Sequence, residues 1–152
     1  MFCPYCDYSD TEVVNSRATK KNTRVWRRRK CIKCKSVFTT HEAVDLSNIV
    51  IIKKSGKTEY FNRAKLYSGI YGSTIGLKVE DREKLVEKIT KEVETKILRL
   101  KVDKIESSKV GDIVLSLLKK MHTASFLRFL SYNKNIASEE QMIREFKKYT
   151  SR

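Results

Sequence analysis

The sequence predicts an α+β chain in two parts: a small N-terminal module held by four cysteines, then a mainly helical part headed by a small β-hairpin or sheet cap. Three observations carry this. All 4 cysteines fall within the first 34 residues, as two C-x-x-C pairs. After Asn48 the pattern changes, and a short β-branched run, Ile49-Val50-Ile51-Ile52, gives way to apolar stripes of helical period. The 152 residues are enough for one ordinary domain or two small ones, since domains run from roughly 50 to 200 residues. The expected boundaries are 1–48 for the first part, 49–139 for the second, and 140–152 for a C-terminal helix or tail.

A C-x-x-C pair places two sulfurs on one turn, so two pairs fill the four positions of a tetrahedral zinc site. Cys3, Cys6, Cys31 and Cys34 are the expected ligands of one zinc ion, and residues 7 to 30 between the pairs leave room for a hairpin. A module this small buries too little apolar surface to fold unaided, so the metal supplies folding free energy. A filled four-thiolate sphere has no open position, which makes the metal structural. Two other uses of these cysteines fail on spacing. A glutaredoxin-like dithiol follows a strand, and Met1 and Phe2 are too short to form one. The deaminase pattern H-x-E with P-C-x-x-C fails because Pro4 lies inside the pair and His41 is followed directly by Glu42.

Charge narrows the partner. The 33 Lys and Arg against 18 Asp and Glu leave +15, which favours a polyanion because neutralised phosphates release condensed counterions. In the second part both signs are spread along helical faces and read as solvated surface. In the first, no Asp or Glu occurs from Val13 to His41, while Arg17, Lys20, Lys21, Arg24, Arg27, Arg28, Arg29, Lys30, Lys33 and Lys35 all fall there. Thr23 to Lys30 reads as a strand, whose alternation sends Arg27 and Arg29 to one face and Trp26 and Arg28 to the other. Arginine grips phosphate bidentately and reads guanine edges, so Arg17, Arg27, Arg28 and Arg29 are the candidate nucleic-acid contacts. The alternative is an edge strand protected by its charge. Trp26 offers a stacking ring for a base or, the preferred reading in so small a domain, a lid packed over the zinc knuckle.

In the second part Ile49 to Ile52 reads as a strand, Ser55-Gly56 as the turn, and Thr58 to Phe61 as the returning strand. Asn62 caps a helix through Leu66 and Ile70 towards Gly72, followed by a loop from Gly72 to Gly76. A long helix from about Glu80 to Lys101 carries Leu85, Ile89, Val93 and Ile97 as its stripe. Another starts at Ser107 or Ser108 with Val110, Val114, Leu117 or Leu118 and Met121 inward. Residues 122 to 136 form a helix around Phe126, Phe129 and Leu130, and Ser138-Glu139-Glu140-Gln141 is a capping box for a last one through Met142 and Phe146. The expected architecture is a helical bundle with a hairpin at its start.

Gly56-Lys57-Thr58 is not a P-loop, because Ile51 stands where the earlier glycine belongs and a strand follows instead of a helix. Lys53, Lys54 and Lys57 do make a basic turn, with Lys65 one turn into the next helix. Such a turn either holds a triphosphate or is ordinary solvated surface. His41 and His122 have no nucleophile or carboxylate pair beside them, so no enzyme is expected. No run of about 18 apolar residues and no secretory pattern occurs, so the expected compartment is the cytosol, with no membrane partner.

Taken together, Met1-Phe2-Cys3-Pro4-Tyr5-Cys6, Asn15-Ser16-Arg17, Val25 to Cys31, Cys34 and Val37 to Glu42 resemble the N-terminal zinc ribbon of the NrdR family of bacterial transcriptional repressors, whose pattern is CPxC, DSR, IRRRREC, C and RFTTFE. Asn15, Trp26, Val37 and His41 depart from it. Ile49 to Ile70 is similar to the ATP-cone pattern VxKRxG, then E, K and G, with Lys54 in place of Arg. Gly111 and Arg128-Phe129 match late positions, and Asn133 stands where Tyr is usual. The resemblance covers nearly the whole chain. It implies that Ile51, Lys53, Lys54, Glu59 and Lys65 contact a nucleotide, that ATP and dATP are regulatory ligands beside one structural zinc, and that nucleotide-controlled homo-oligomers in the bacterial cytoplasm bind double-stranded DNA. The implied sites are paired operator repeats upstream of ribonucleotide reductase genes. Outside the resemblance, an RNA-binding zinc-ribbon protein of the translation machinery stays open.

Overall fold

In the computed structural model, which describes residues 1–18 and 24–150, the chain divides into two units, Met1–Asp45 and Leu46–Arg152. The first unit is a three-stranded antiparallel sheet of β1 (Thr11–Ala18), β2 (Arg24–Cys31) and β3 (Val37–Ala43), in the order β1-β2-β3. The basic strand is therefore central, with ladder partners on both sides, and the edge-strand reading of its arginines is overturned. Lys20, Lys21 and the expected first strand residue Thr23 lie outside the described residues. A bulge between Val13 and Asn15 shifts the β1 register by one residue. Among the described residues of this unit, Cys3 and Cys31 alone are buried, so the sheet has no apolar core of its own.

Register settles Trp26. It lies opposite Arg17 on β1 and His41 on β3, with the Arg17 guanidinium 6.0 Å from the ring centroid. Cys31 is five residues further along the same strand, about 16 Å at ~3.3 Å per residue and, by parity, on the other face. Trp26 thus does not cover the zinc knuckle, contrary to the preferred sequence reading. Tyr5 meets Phe38 edge-on there instead, at 6.4 Å between centroids.

The second unit pairs a small sheet with five helices. Strand β4 (Val50–Ile52) is central, antiparallel to β5 (Thr58–Tyr60) and parallel to β6 (Lys104–Glu106). The turn between β4 and β5 closes with Gly56 at φ 81, a left-handed conformation that glycine adopts without a Cβ clash. The third strand corrects the expected simple hairpin: its single inward residue, Ile105, gives no alternation to detect, and its pairing reaches far along the sequence, from Ile51 to Ile105.

The helices are α1 (Arg63–Ser73), α2 (Val79–Leu100), α3 (Ser107–Met121), α4 (Thr123–Lys134) and α5 (Glu139–Thr150). Asn62 caps α1 as expected, accepting from the Lys65 amide at 3.1 Å. Gly72 and Ser73 belong to α1 rather than to a loop, the Ser73 hydroxyl satisfying the Ile70 carbonyl at 2.6 Å. On α2 the buried stripe is Val86, Ile89, Val93 and Ile97, with Leu85 only partly covered. His122 ends α3 and starts α4, its Nδ1 accepting from the Ser125 amide at 3.2 Å. These stripes meet Ile70, Val114, Leu115, Leu118, Phe126 and Leu130 in one core, and α5 lays Met142, Phe146 and Tyr149 against it.

Phe126 is 1% exposed and touches both Phe146 and Tyr149, so Phe126→Ala leaves a cavity at the core's centre. The expected cost is about 3 to 5 kcal/mol, read as a lowered urea midpoint of the helical signal, with zinc content unchanged.

Candidate functional site

The two C-x-x-C pairs build the same turn twice. The Cys3 carbonyl accepts from the Asp7 amide at 2.9 Å and the Cys31 carbonyl from the Lys35 amide at 3.1 Å. The Cys3 amide donates to the Tyr8 carbonyl and the Cys31 amide to the Ser36 carbonyl, both at 2.9 Å. Each turn ends on a left-handed residue, Asp7 at φ 55 and Lys35 at φ 61. All four sulfurs lie within 4.8 Å of one another, with Cys3 to Cys34 at 3.6 Å and Cys6 to Cys31 at 3.7 Å. A Zn–S bond of about 2.3 Å fixes a tetrahedral S···S edge of about 3.8 Å, so the cluster fits zinc and is far too open for disulfides.

Protonation shows why a cation belongs there. Hydrogen bonds from the Ser36 hydroxyl and amide pull Cys34 down to about 6. A Tyr8 backbone hydrogen bond pulls Cys6 down, but desolvation and the neighbouring sulfurs outweigh it and push that thiol up to about 12. Four adjacent thiolates need a metal to coexist.

The arginines divide as alternation requires. Arg27 and Arg29 share the face that carries Cys31, where Arg27 pairs with Glu42 and the Arg29 Nε donates to the Thr40 hydroxyl at 3.2 Å. Arg17 and Arg28 share the other face with Trp26, and Arg28 is exposed with no ion pair among the described residues.

In the second unit the small sheet, α1, α3 and α4 enclose a cavity of about 320 Å³. Ile51, Lys53, Glu59 and Lys65, expected from the sequence, all line it. The register that sets Ile51 opposite Glu59 puts both on the sheet face towards the helices. Glu59 is then clamped between Lys53 at 2.8 Å and Lys65 at 2.9 Å. Those two cations, Lys53 first, hold its carboxyl below the usual carboxylate range. Lys54 points elsewhere: it lines an adjoining cavity of about 450 Å³ with Ser107 and Ser108, and its Nζ donates to the Asn133 carbonyl at 3.2 Å. A third cavity, about 550 Å³, joins Lys65 to Arg128.

Comparison with known proteins decides between a regulatory module and a coincidence of parts. Residues 1–42 match the family model described as "Transcriptional repressor NrdR-like, N-terminal domain", and residues 49–139 match the ATP cone domain. The sequence is 35% identical, over 151 residues covering 99% of both chains, to a protein of Clostridium kluyveri named Transcriptional repressor NrdR. It is 34% identical, over 147 residues covering 97% of this chain and 96% of the relative, to a protein of the same name from Clostridium botulinum strain Loch Maree. The chain belongs to the NrdR family.

Its four-cysteine cluster is accordingly the metal site of a zinc ribbon, and its cavity lies within an ATP-cone. Among the described residues no helix is long and apolar enough to cross a membrane. The cavity also has walls that the sequence does not mark as such. Val110 and Val114, expected as core residues, face it across Gly111, and Tyr132, 78% exposed, borders all three cavities. Helical spacing marks Val110, Gly111 and Val114 as one face but does not say that the face is hollow.

Two outcomes follow. Stripping zinc with a chelator should abolish amide protection in β1, β2 and β3, while protection in α2 to α4 persists in hydrogen exchange, because structural zinc supplies about 10 to 16 kcal/mol of apparent binding free energy. The folded-state pKa of Glu59 lies below its unfolded value, so its tie to Lys53 and Lys65 is fully present above the ordinary carboxylate pKa and is lost as pH falls through the lower folded one. Carboxyl NMR should show Glu59 titrating below the ordinary glutamate range.

Proposed function

We propose that this chain is a zinc-dependent, adenine-nucleotide-sensing repressor of ribonucleotide reductase genes. Its zinc ribbon binds double-stranded DNA at paired operator repeats, its ATP-cone binds ATP and dATP, and the nucleotide bound sets how copies of the chain associate in the bacterial cytoplasm. The observation that carries the sensing half is the convergence of Ile51, Lys53, Glu59 and Lys65 on one cavity. Each supplies a different piece of nucleotide chemistry. Lys53 and Lys65 are cations for phosphate oxygens, and Glu59 is an acceptor for a ribose hydroxyl. Ile51, Val110, Val114 and Phe129 make an apolar wall for a base. Lys54 adds charge beside the N-terminus of α3, where no side chain caps the first turn.

For DNA, the supporting observation is a central strand carrying Arg27, Arg28 and Arg29, with Arg17 beside it on β1. The relatives carry the name of repressors, which is a regulatory role without turnover. Linkage supplies the mechanism: if dATP favours one oligomer and that oligomer alone spans two operator repeats, DNA favours dATP by the same factor.

Calorimetry tests the sensing half. Lys53→Ala with Lys65→Ala should weaken ATP and dATP at least about tenfold, since each removes a charge-assisted hydrogen bond to phosphate; unaltered affinity would sink the proposed site. Arg28→Ala with Arg29→Ala should weaken DNA binding and lower the salt slope by about one for each phosphate no longer neutralised, leaving zinc and nucleotide binding intact. Unchanged affinity at moderate salt would remove the proposed DNA face.

A further inference from the structure

We infer that Asn133 is the residue by which this chain tells adenine from guanine, its side-chain amide meeting the N6/N7 edge of the base at the wall between α3 and α4. The inference rests on the nucleotide reading above and adds to it the determinant of base choice.

Polar groups around the cavity are mostly spoken for. Lys53 and Lys65 are tied to Glu59, and the Asn62 amide oxygen caps α1. Asn133 differs. Among the described residues lining the cavity, its Oδ1 is the one buried side-chain polar atom with no hydrogen-bond partner. Native proteins rarely leave such an acceptor without a donor, so a donor delivered by a ligand is the natural completion. The amide stands between the first cavity and the one that holds Lys54, and its own backbone carbonyl is fixed by Lys54 at 3.2 Å. As placed, Oδ1 is closed off against Gly111, and the broad terminal torsion of Asn133 is what lets the amide turn to present it to a ligand.

Gly111 makes this position available. A Cβ there would stand 2.5 Å from the Asn133 Nδ2 and 2.8 Å from its Oδ1, so the amide occupies the space that any side chain at 111 would take. The edge of adenine that carries N7 offers the N6 amino donor beside the N7 acceptor. Asn matches that pair with one acceptor and one donor. The same edge of guanine offers two acceptors, O6 and N7, and leaves Oδ1 unpaired. Ile51, Val110 and Phe129 bound the apolar side against which the ring would lie.

The test is calorimetry on the zinc-loaded full chain with ATP, GTP and inorganic tripolyphosphate. The native chain should favour ATP over GTP roughly tenfold or more. Asn133→Ala should bring that ratio close to one while leaving tripolyphosphate affinity unchanged. Gly111→Ala keeps the amide but forces it away, and should give the same loss; it carries the test if Asn133→Ala fails to fold. A ratio that survives either folded variant, or no ATP preference in the native chain, overturns the assignment. Absence of ATP and tripolyphosphate binding in the native chain would instead bring down the nucleotide reading on which it rests.

Discussion

Four sulfurs within one coordination sphere hold the first unit together, and its whole surface depends on that. Cys3 and Cys31 are the buried residues described in this unit, so no apolar core opposes the repulsion among Arg27, Arg28, Arg29 and Lys30 on one strand. Partial relief comes from within, through Glu42 on Arg27 and Thr40 on Arg29. The knuckle turns add strain of their own, since Asp7 and Lys35 sit at positive φ without being glycine. Metal binding of about 10 to 16 kcal/mol offsets such terms easily, which frees the sheet to present cations rather than bury apolar side chains.

The second unit solves a different problem. Its core is conventional, built from Ile70, Val86, Ile89, Val93, Val114, Leu118, Phe126 and Leu130, and it can stand without a metal. What matters is the corner where sheet and helices meet. The parallel pairing of β6 with β4 sets the start of α3 beside the basic turn, bringing Ser107 and Gly111 to the same cavity wall as Ile51 and Lys53. Two lysines held by one glutamate keep that corner charged and compact at once. An entering polyphosphate would exchange those ties for its own, so little reorganisation is needed to bind it.

Much of this is legible in the sequence alone. The C-x-x-C spacing predicts the tetrahedral cluster, because ligand geometry is local to each turn. Asn62, the Ser55-Gly56 turn and the long α2 follow from cap, turn and period signals of the same local kind. Strand alternation places Arg27 with Arg29 and Arg28 with Trp26. What stays hidden is non-local. Strand β6 offers one apolar residue and a partner far away in the chain, and Trp26 reads by its type as a cover for the knuckle, whereas its parity puts it on the opposite face. Whether Val110 and Val114 line a void or fill a core depends on what α4 lays across them, and Gly111 against Asn133 shows that only in three dimensions.

A metal-held cationic sheet and a nucleotide-sized cavity share a single chain, and on the proposed reading the nucleotide in the cavity sets the affinity of the sheet for DNA. The deciding measurement is fluorescence anisotropy of the zinc-loaded protein on a duplex carrying paired repeats, with no nucleotide, with ATP alone, and with ATP plus dATP. Binding that strengthens markedly only when dATP is present is the predicted result. Tight binding that is indifferent to nucleotide would contradict it, leaving the ribbon as a general nucleic-acid module and RNA as its stronger candidate partner.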